Sequence, residues 1–178
     1  MDRTLRFYNY EQCYAHYTKR IMSIRQAKIH GEVIVPKPVL LLALIDGVES
    51  GEFADNRFLL NEWLEQRYLA LMKQYTQHSQ FPHPADISNP FWHLQGDGFW
   101  HLHHNTEVAE GSTPSKRWLK DHVKYASFDD DLWILLQNES RRKKLRDYIV
   151  EHKLTDDRWH GLMAAESLSI LTALLLVA

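Results

Sequence analysis

Residues 89–104 read NPFWHLQGDGFWHLHH, in which the word Phe-Trp-His-Leu occurs at 91–94 and again at 99–102, around Gln-Gly-Asp-Gly. Aromatic residues on both sides of a Gly-Asp-Gly turn form a β-hairpin pattern. Strand alternation would put Phe91, His93, Gln95, Trp100, Leu102 and His104 on one face, and Trp92, Leu94, Phe99, His101 and His103 on the other. The histidines suggest a metal, but zinc wants three or four ligands converging on one point. His101 and His103 share a face with no carboxylate beside them there, and the chain has no HExxH, GxSxG or His-Asn-His arrangement. Turn geometry accounts for Asp97. The expectation is therefore no metal, no cofactor and no catalytic residue, with the hairpin aromatics packed as core.

Outward from this stretch, the chain reads mostly as helix. Between Asn9 and Ile29, Cys13, Tyr17, Ile21 and Ile24 recur at three- and four-residue steps, the spacing of an amphipathic helix. Gly31 stops that helix, and Pro36 and Pro38 hold an extended turn, with Pro38 opening the next helix, VLLLALIDGVESG. That helix is apolar on nearly every side, which marks it as the central core element. RFLL at 57–60 reads as a short strand, and Asn61 as the cap of EWLEQRYLALMKQYT. HSQFPHPADISNP is a loop. After the hairpin, Thr113-Pro114 reads as a cap and first-turn proline for SKRWLKDHV. DDDLWILLQ, SRRKKLRDYIVEHK and the segment after Trp159 read as three further helices.

The 178 residues, 44% of them hydrophobic, suit one domain, taken as residues 1–178. A net charge of -2 argues against a nucleic-acid partner until its distribution is examined. Residues 1–48 carry 7 Lys and Arg against 4 Asp and Glu, residues 49–112 carry 3 against 9, and residues 113–178 carry 11 against 10. A polarised molecule with one basic face follows from that imbalance. The single cysteine, Cys13, leaves no internal disulfide and fits a reducing cytoplasm. The N-terminus lacks a signal-peptide core, and ILTALLLVA at the other end is too short to span a bilayer.

The order KPVLLLALIDGVESG, NRFLLNEWLEQ, NPFWHLQGDGFWHL resembles the sulfur-binding domain of phosphorothioation-dependent McrA-type restriction endonucleases, over about residues 25–125. In that family the domain precedes an HNH nuclease module and binds duplex DNA in which sulfur replaces a non-bridging phosphate oxygen. The resemblance implies a sulfur pocket at Asn89, Pro90 and His93, where family members often carry an aromatic residue for Asn89 and a small one for His93. It places the base-reading pair on Pro36 and Lys37, where a histidine is the family's usual residue at Pro36. A backbone-contacting arginine falls on Arg117, beside Ser115 and Lys116 at a helix start where amides favour phosphate. Lys28 and His30 would complete a basic rim around an apolar notch.

These readings converge on an α+β fold, mostly helical with a small antiparallel sheet or hairpin. The function they imply is a non-catalytic reader of phosphorothioate DNA in a modification-dependent restriction system, either as one domain of a larger HNH nuclease whose module is absent from this chain or as a stand-alone reader. Two other readings stay open: a protein-interaction domain whose aromatics are only core, and a metal-dependent hydrolase built on His101, His103 and outside ligands.

Overall fold

A helix with no polar face has to be enclosed, and KPVLLLALIDGVES is that helix. In the computed structural model, which describes residues 7, 9–104 and 113–154, it runs as α2, Pro36–Ser50. Val39, Leu40, Leu42, Ala43 and Leu44 are fully buried. Pro36 and Pro38 both lie in its first turn, where an absent amide proton costs nothing. Gly51, with φ +79°, ends it in the left-handed conformation that glycine adopts freely.

Six more helices complete the described fold: α1 (Tyr10–Met22), α3 (Glu62–Thr76), α4 (Ser88–His93), α5 (Lys116–His122), α6 (Asp130–Gln137) and α7 (Glu139–Ile149). A π-type turn, Val150–Leu154, extends α7. Helices α3, α4, α6 and α7 pack on α2, while α1 closes against α6 and α7. The one acidic residue buried in α2, Asp46, takes hydrogen bonds from Arg67 of α3 (2.7 and 2.5 Å) and Arg146 of α7 (2.9 Å). A buried carboxylate needs such partners, and these two tie the flanking helices to the core.

Among the described residues there are two small antiparallel sheets. β1 (Lys28–Ile29) and β2 (Glu32–Val33) form a hairpin around His30 and Gly31, both with positive φ (+49° and +86°), the sign pattern of a type I′ turn. The sequence reading extended α1 to Ile29. The chain leaves the helix at Met22 instead, because the hairpin takes residues 28–33. The second sheet pairs β3 (Trp100–His104) with β4 (Val123–Phe128), in register Trp100 to Phe128 and His103 to Tyr125. RFLL contributes a single bridge, with Phe58 and Ala126 exchanging backbone hydrogen bonds of 2.7 and 2.8 Å.

The expected 89–104 hairpin is therefore corrected. Its first half is helical, as α4 followed by a 3-10 turn at Leu94–Asp97, and only its second half is a strand. Asp86 starts α4 by accepting hydrogen bonds from the Ser88 amide (2.9 Å) and hydroxyl (2.7 Å). Gly98, with φ +80°, then turns the chain into β3. The strand that pairs with β3 is β4, which begins at Val123, the last residue of the expected helix SKRWLKDHV, and runs on through Phe128. Ser115, not Thr113, caps α5, accepting from the Trp118 amide at 3.2 Å. The fold is still α+β, as expected. The helix expected after Trp159 and the apolar tail lie outside the described residues.

Gly47 offers a test of how tightly α2 is packed. A Cβ there would stand 2.5 Å from the Phe53 ring and 3.1 Å from Trp63. Gly47→Ala should lower stability by about 1–3 kcal/mol, read as the shift in a urea or thermal midpoint, despite alanine's better helix propensity.

Candidate nucleic-acid interface

On a helix, Asn89 and His93 stand at i and i+4, so they share one face of α4 instead of alternating along a strand. Both are exposed, and Pro90 beside them is buried. The doubled word holds this helix in place from beneath. Phe91, Leu94, Phe99 and Trp100 are all buried, and the Trp100 indole Nε1 donates to the Phe91 carbonyl at 2.9 Å. Phe91 and Trp100 meet edge to face at 5.4 Å. Removing an indole from water with its N–H satisfied makes this a firm platform.

Three groups of expected site residues attach to the chain running through α4. The first is the start of α5. His93 Nε2 is hydrogen-bonded to Thr113 Oγ1 at 2.5 Å, and Trp92 packs edge to face on Trp118 at 6.2 Å. These contacts bring Ser115, Lys116 and Arg117 beside α4. Lys116 is not a free cation: its ammonium lies 2.7 Å from Glu65, which also pairs with Lys120. Arg117 has a side chain 92% exposed, with Asp121 3.8 Å away. Burial alone would raise the Glu65 carboxyl pKa, but the two lysines hold it below its ordinary value.

The second group is Pro36 and Lys37 at the start of α2. Pro36 is buried, and the Lys37 ammonium meets Asp97 at 2.7 Å in the turn that follows α4. Asp97, explained from sequence by turn geometry alone, is thus also an ion-pair partner. The third group is Lys28 and His30, both exposed on the first hairpin. His30 stacks on Phe81 at 4.3 Å, and Ser79 hydrogen-bonds to Glu32, so this hairpin is fastened to the loop leading into α4. The hairpin's link to α4 runs along that loop.

The sequence reading missed Thr113 as the partner of His93, and it missed Asp97 and Glu65 as anions pairing the expected cations. Short-range patterns carry no trace of these contacts, since the partners lie 20 to 60 residues apart. His101 and His103 share one face of the second sheet, as the alternation in that half of the word implied, and it is the face opposite the buried Trp100. His101 is 2.6 Å from Asp129, which also accepts from the Tyr17 hydroxyl, and His103 is 2.9 Å from Ser127. Among the described residues, no three His, Cys, Asp or Glu side chains group as metal ligands. Burial and the neighbouring His101, His104 and Arg57 hold His103 below its ordinary pKa, and burial does the same to His104.

Residues 15–169 match the family described as the ScoMcrA-like, DNA sulfur-binding domain. The chain belongs to that family. Its fold is similar to the sulfur-binding domain of ScoMcrA complexed with phosphorothioated DNA, with a TM-score of 0.60 at 21% identity, covering 77% of this chain and 86% of that one. The corresponding domain of SprMcrA, also complexed with phosphorothioated DNA, gives 0.60 at 16% identity, covering 80% and 86%. A ScoMcrA structure holding the sulfur-binding and SRA domains with phosphorothioated DNA gives 0.55 at 22% identity, covering 72% of this chain and 41% of that one. No curated protein sequence matches the chain.

Two predictions follow from the charge pairing at α5. Arg117→Ala should weaken DNA binding more than Lys116→Ala, and flatten the salt dependence by about 0.9 in slope, because Lys116 already has Glu65 as its anion. Binding isotherms between 50 and 200 mM salt would check both effects. The second concerns stability. The lowered carboxyl pKa of Glu65 means its pairing stabilises the fold fully above the unfolded-state value, and the contribution is lost as pH falls through the folded value. Glu65→Gln should therefore lower Tm at neutral pH and flatten the fall in Tm at acid pH, in melts run from pH 7 to pH 3.

Proposed function

We propose that this chain is a reader of duplex DNA carrying a phosphorothioate, gripping the sulfur at Asn89, Pro90 and His93. The observation that carries the reading is the match of residues 15–169 to a DNA sulfur-binding family. The helical placement supports it: Asn89 and His93 share the exposed face of α4, and the buried Pro90 ring adjoins Asn89 at the edge of that face. Sulfur is larger, more polarisable and a poorer hydrogen-bond acceptor than oxygen. A proline ring therefore meets sulfur at lower cost than an ordinary phosphate oxygen, which would lose its water.

Arg117 and Lys116, with Ser115, then serve the backbone next to the pocket; Lys37, beside the buried Pro36, meets the duplex from the start of α2, and Lys28 and His30 extend the basic rim. In this reading residues 1–178 act as one non-catalytic unit of a restriction system in the cytoplasm. Strand cleavage is left to an HNH module with its own metal. No helix among the described residues is long and apolar enough to cross a membrane.

The test compares mobility shifts of identical duplexes with and without one sulfur substitution, across a salt series. The expected outcome is tighter binding of the sulfur duplex. Pro90→Ala, which keeps the α4 backbone while removing the ring, should reduce that preference by roughly tenfold, the scale of about 1.4 kcal/mol of lost contact. Equal affinity of the unsubstituted protein for both duplexes overturns the reading, and a Pro90→Ala variant with undiminished preference overturns the pocket assignment.

A further inference from the structure

Lys37 stands where the proposed interface would meet the duplex, yet its ammonium is already occupied by Asp97 at 2.7 Å, with both side chains largely withdrawn from water (19% and 8% exposed). The surroundings of Asp97 are cationic beyond this one pair. Arg20 packs against the next residue, its Nη1 lying 3.0 Å from where a Cβ on Gly98 would stand. Lys153 hydrogen-bonds to the Met22 and Ile24 carbonyls; burial lowers its pKa, and the charge of Asp97 opposes that shift. Asp97 thus provides a carboxylate where cations of α1, α2 and the π-type turn after α7 gather, at the end of the segment that begins with the sulfur-contacting helix.

We infer that Asp97 is a specificity-determining residue: its carboxylate occupies Lys37 as a resident substitute for a DNA phosphate, so that unmodified DNA cannot use that charge at no cost. This rests on the reading of the chain as a phosphorothioate-DNA reader. An ordinary duplex must displace a well-placed intramolecular anion to gain one phosphate contact, and the gain is close to zero. A duplex whose sulfur is seated on α4 is already held in place, and Lys37 can then exchange Asp97 for DNA without a further loss of translational freedom. The ion pair thereby suppresses sequence-independent backbone binding, which is governed by how many phosphates a protein neutralises. An ordinary structural bridge would have a different signature. Its removal loosens the protein and weakens every duplex.

The experiment measures affinities of the full chain for matched duplexes, with and without one phosphorothioate, from 50 to 200 mM salt, for the unsubstituted protein, Asp97→Asn and Asp97→Asn/Lys37→Ala. Thermal melts establish that each is folded. Asp97→Asn should bind the unmodified duplex about threefold or more tightly, with a salt slope steeper by about 0.9, and the ratio favouring sulfur should fall. The double variant should lose that gain. If Asp97→Asn leaves the unmodified-duplex affinity unchanged or lowers it, the inference is wrong. A gain that persists in the double variant also overturns it, because Lys37 is then not the restrained charge. If the unsubstituted protein does not distinguish the duplexes, the proposed function fails and this inference with it. Sulfur preference with no response to Asp97→Asn overturns only the inference.

Discussion

Everything in this fold is arranged around the need to keep α2 out of water. A helix whose Val39, Leu40, Leu42, Ala43 and Leu44 are all fully buried has no solvent face to offer, so other elements have to surround it. The necessary exception is Asp46, whose charge can be buried only because Arg67 and Arg146 reach it from α3 and α7. Those two ion pairs fix where the flanking helices lie. The first turn of the same helix carries Lys37 to the end of the turn after α4, so the central core element also positions one edge of the candidate interface.

The interface itself depends on α4, a helix of six residues that could not persist alone. It is held by burial of Phe91 and Leu94 and by the hydrogen bond from Trp100, a residue of the following strand. The α5 start hangs on it through His93 and Thr113, the α2 start through Asp97, and the first hairpin through the loop that leads into it. An acidic net charge is compatible with such a surface because much of the cationic side is internally paired: Lys37 with Asp97, and Lys116 and Lys120 with Glu65. A surface whose lysines are paired in this way draws less on the general attraction between cations and phosphates.

Much of the helical scaffold was legible in the sequence. The apolar run with two prolines before it gave α2, and Asn61 accepts from the Leu64 amide at 3.0 Å as its cap position required. The α6 and α7 segments, and the division of residues 100–103 between two faces of a strand, were also readable in the sequence. The site residues were proposed from resemblance to a family, and the family match stands over residues 15–169. The local shape around them was misread: Asn89, Pro90 and His93 lie on a helix, and Thr113 is a hydrogen-bond partner where a cap had been expected.

The repeated Phe-Trp-His-Leu shows where local information ends. By itself the sequence determined that both copies would bury apolar side chains, and Phe91, Leu94, Phe99 and Trp100 are all buried. Only the tertiary structure decided that the first copy is helix and the second strand. After Asp86 and Ser88 the first copy satisfies its backbone within α4, while the second, released by the left-handed Gly98, finds β4 more than twenty residues further along. The same four side chains allow either state. Which one forms is set by where the backbone hydrogen bonds can be completed, and the partner for that lies outside any local window.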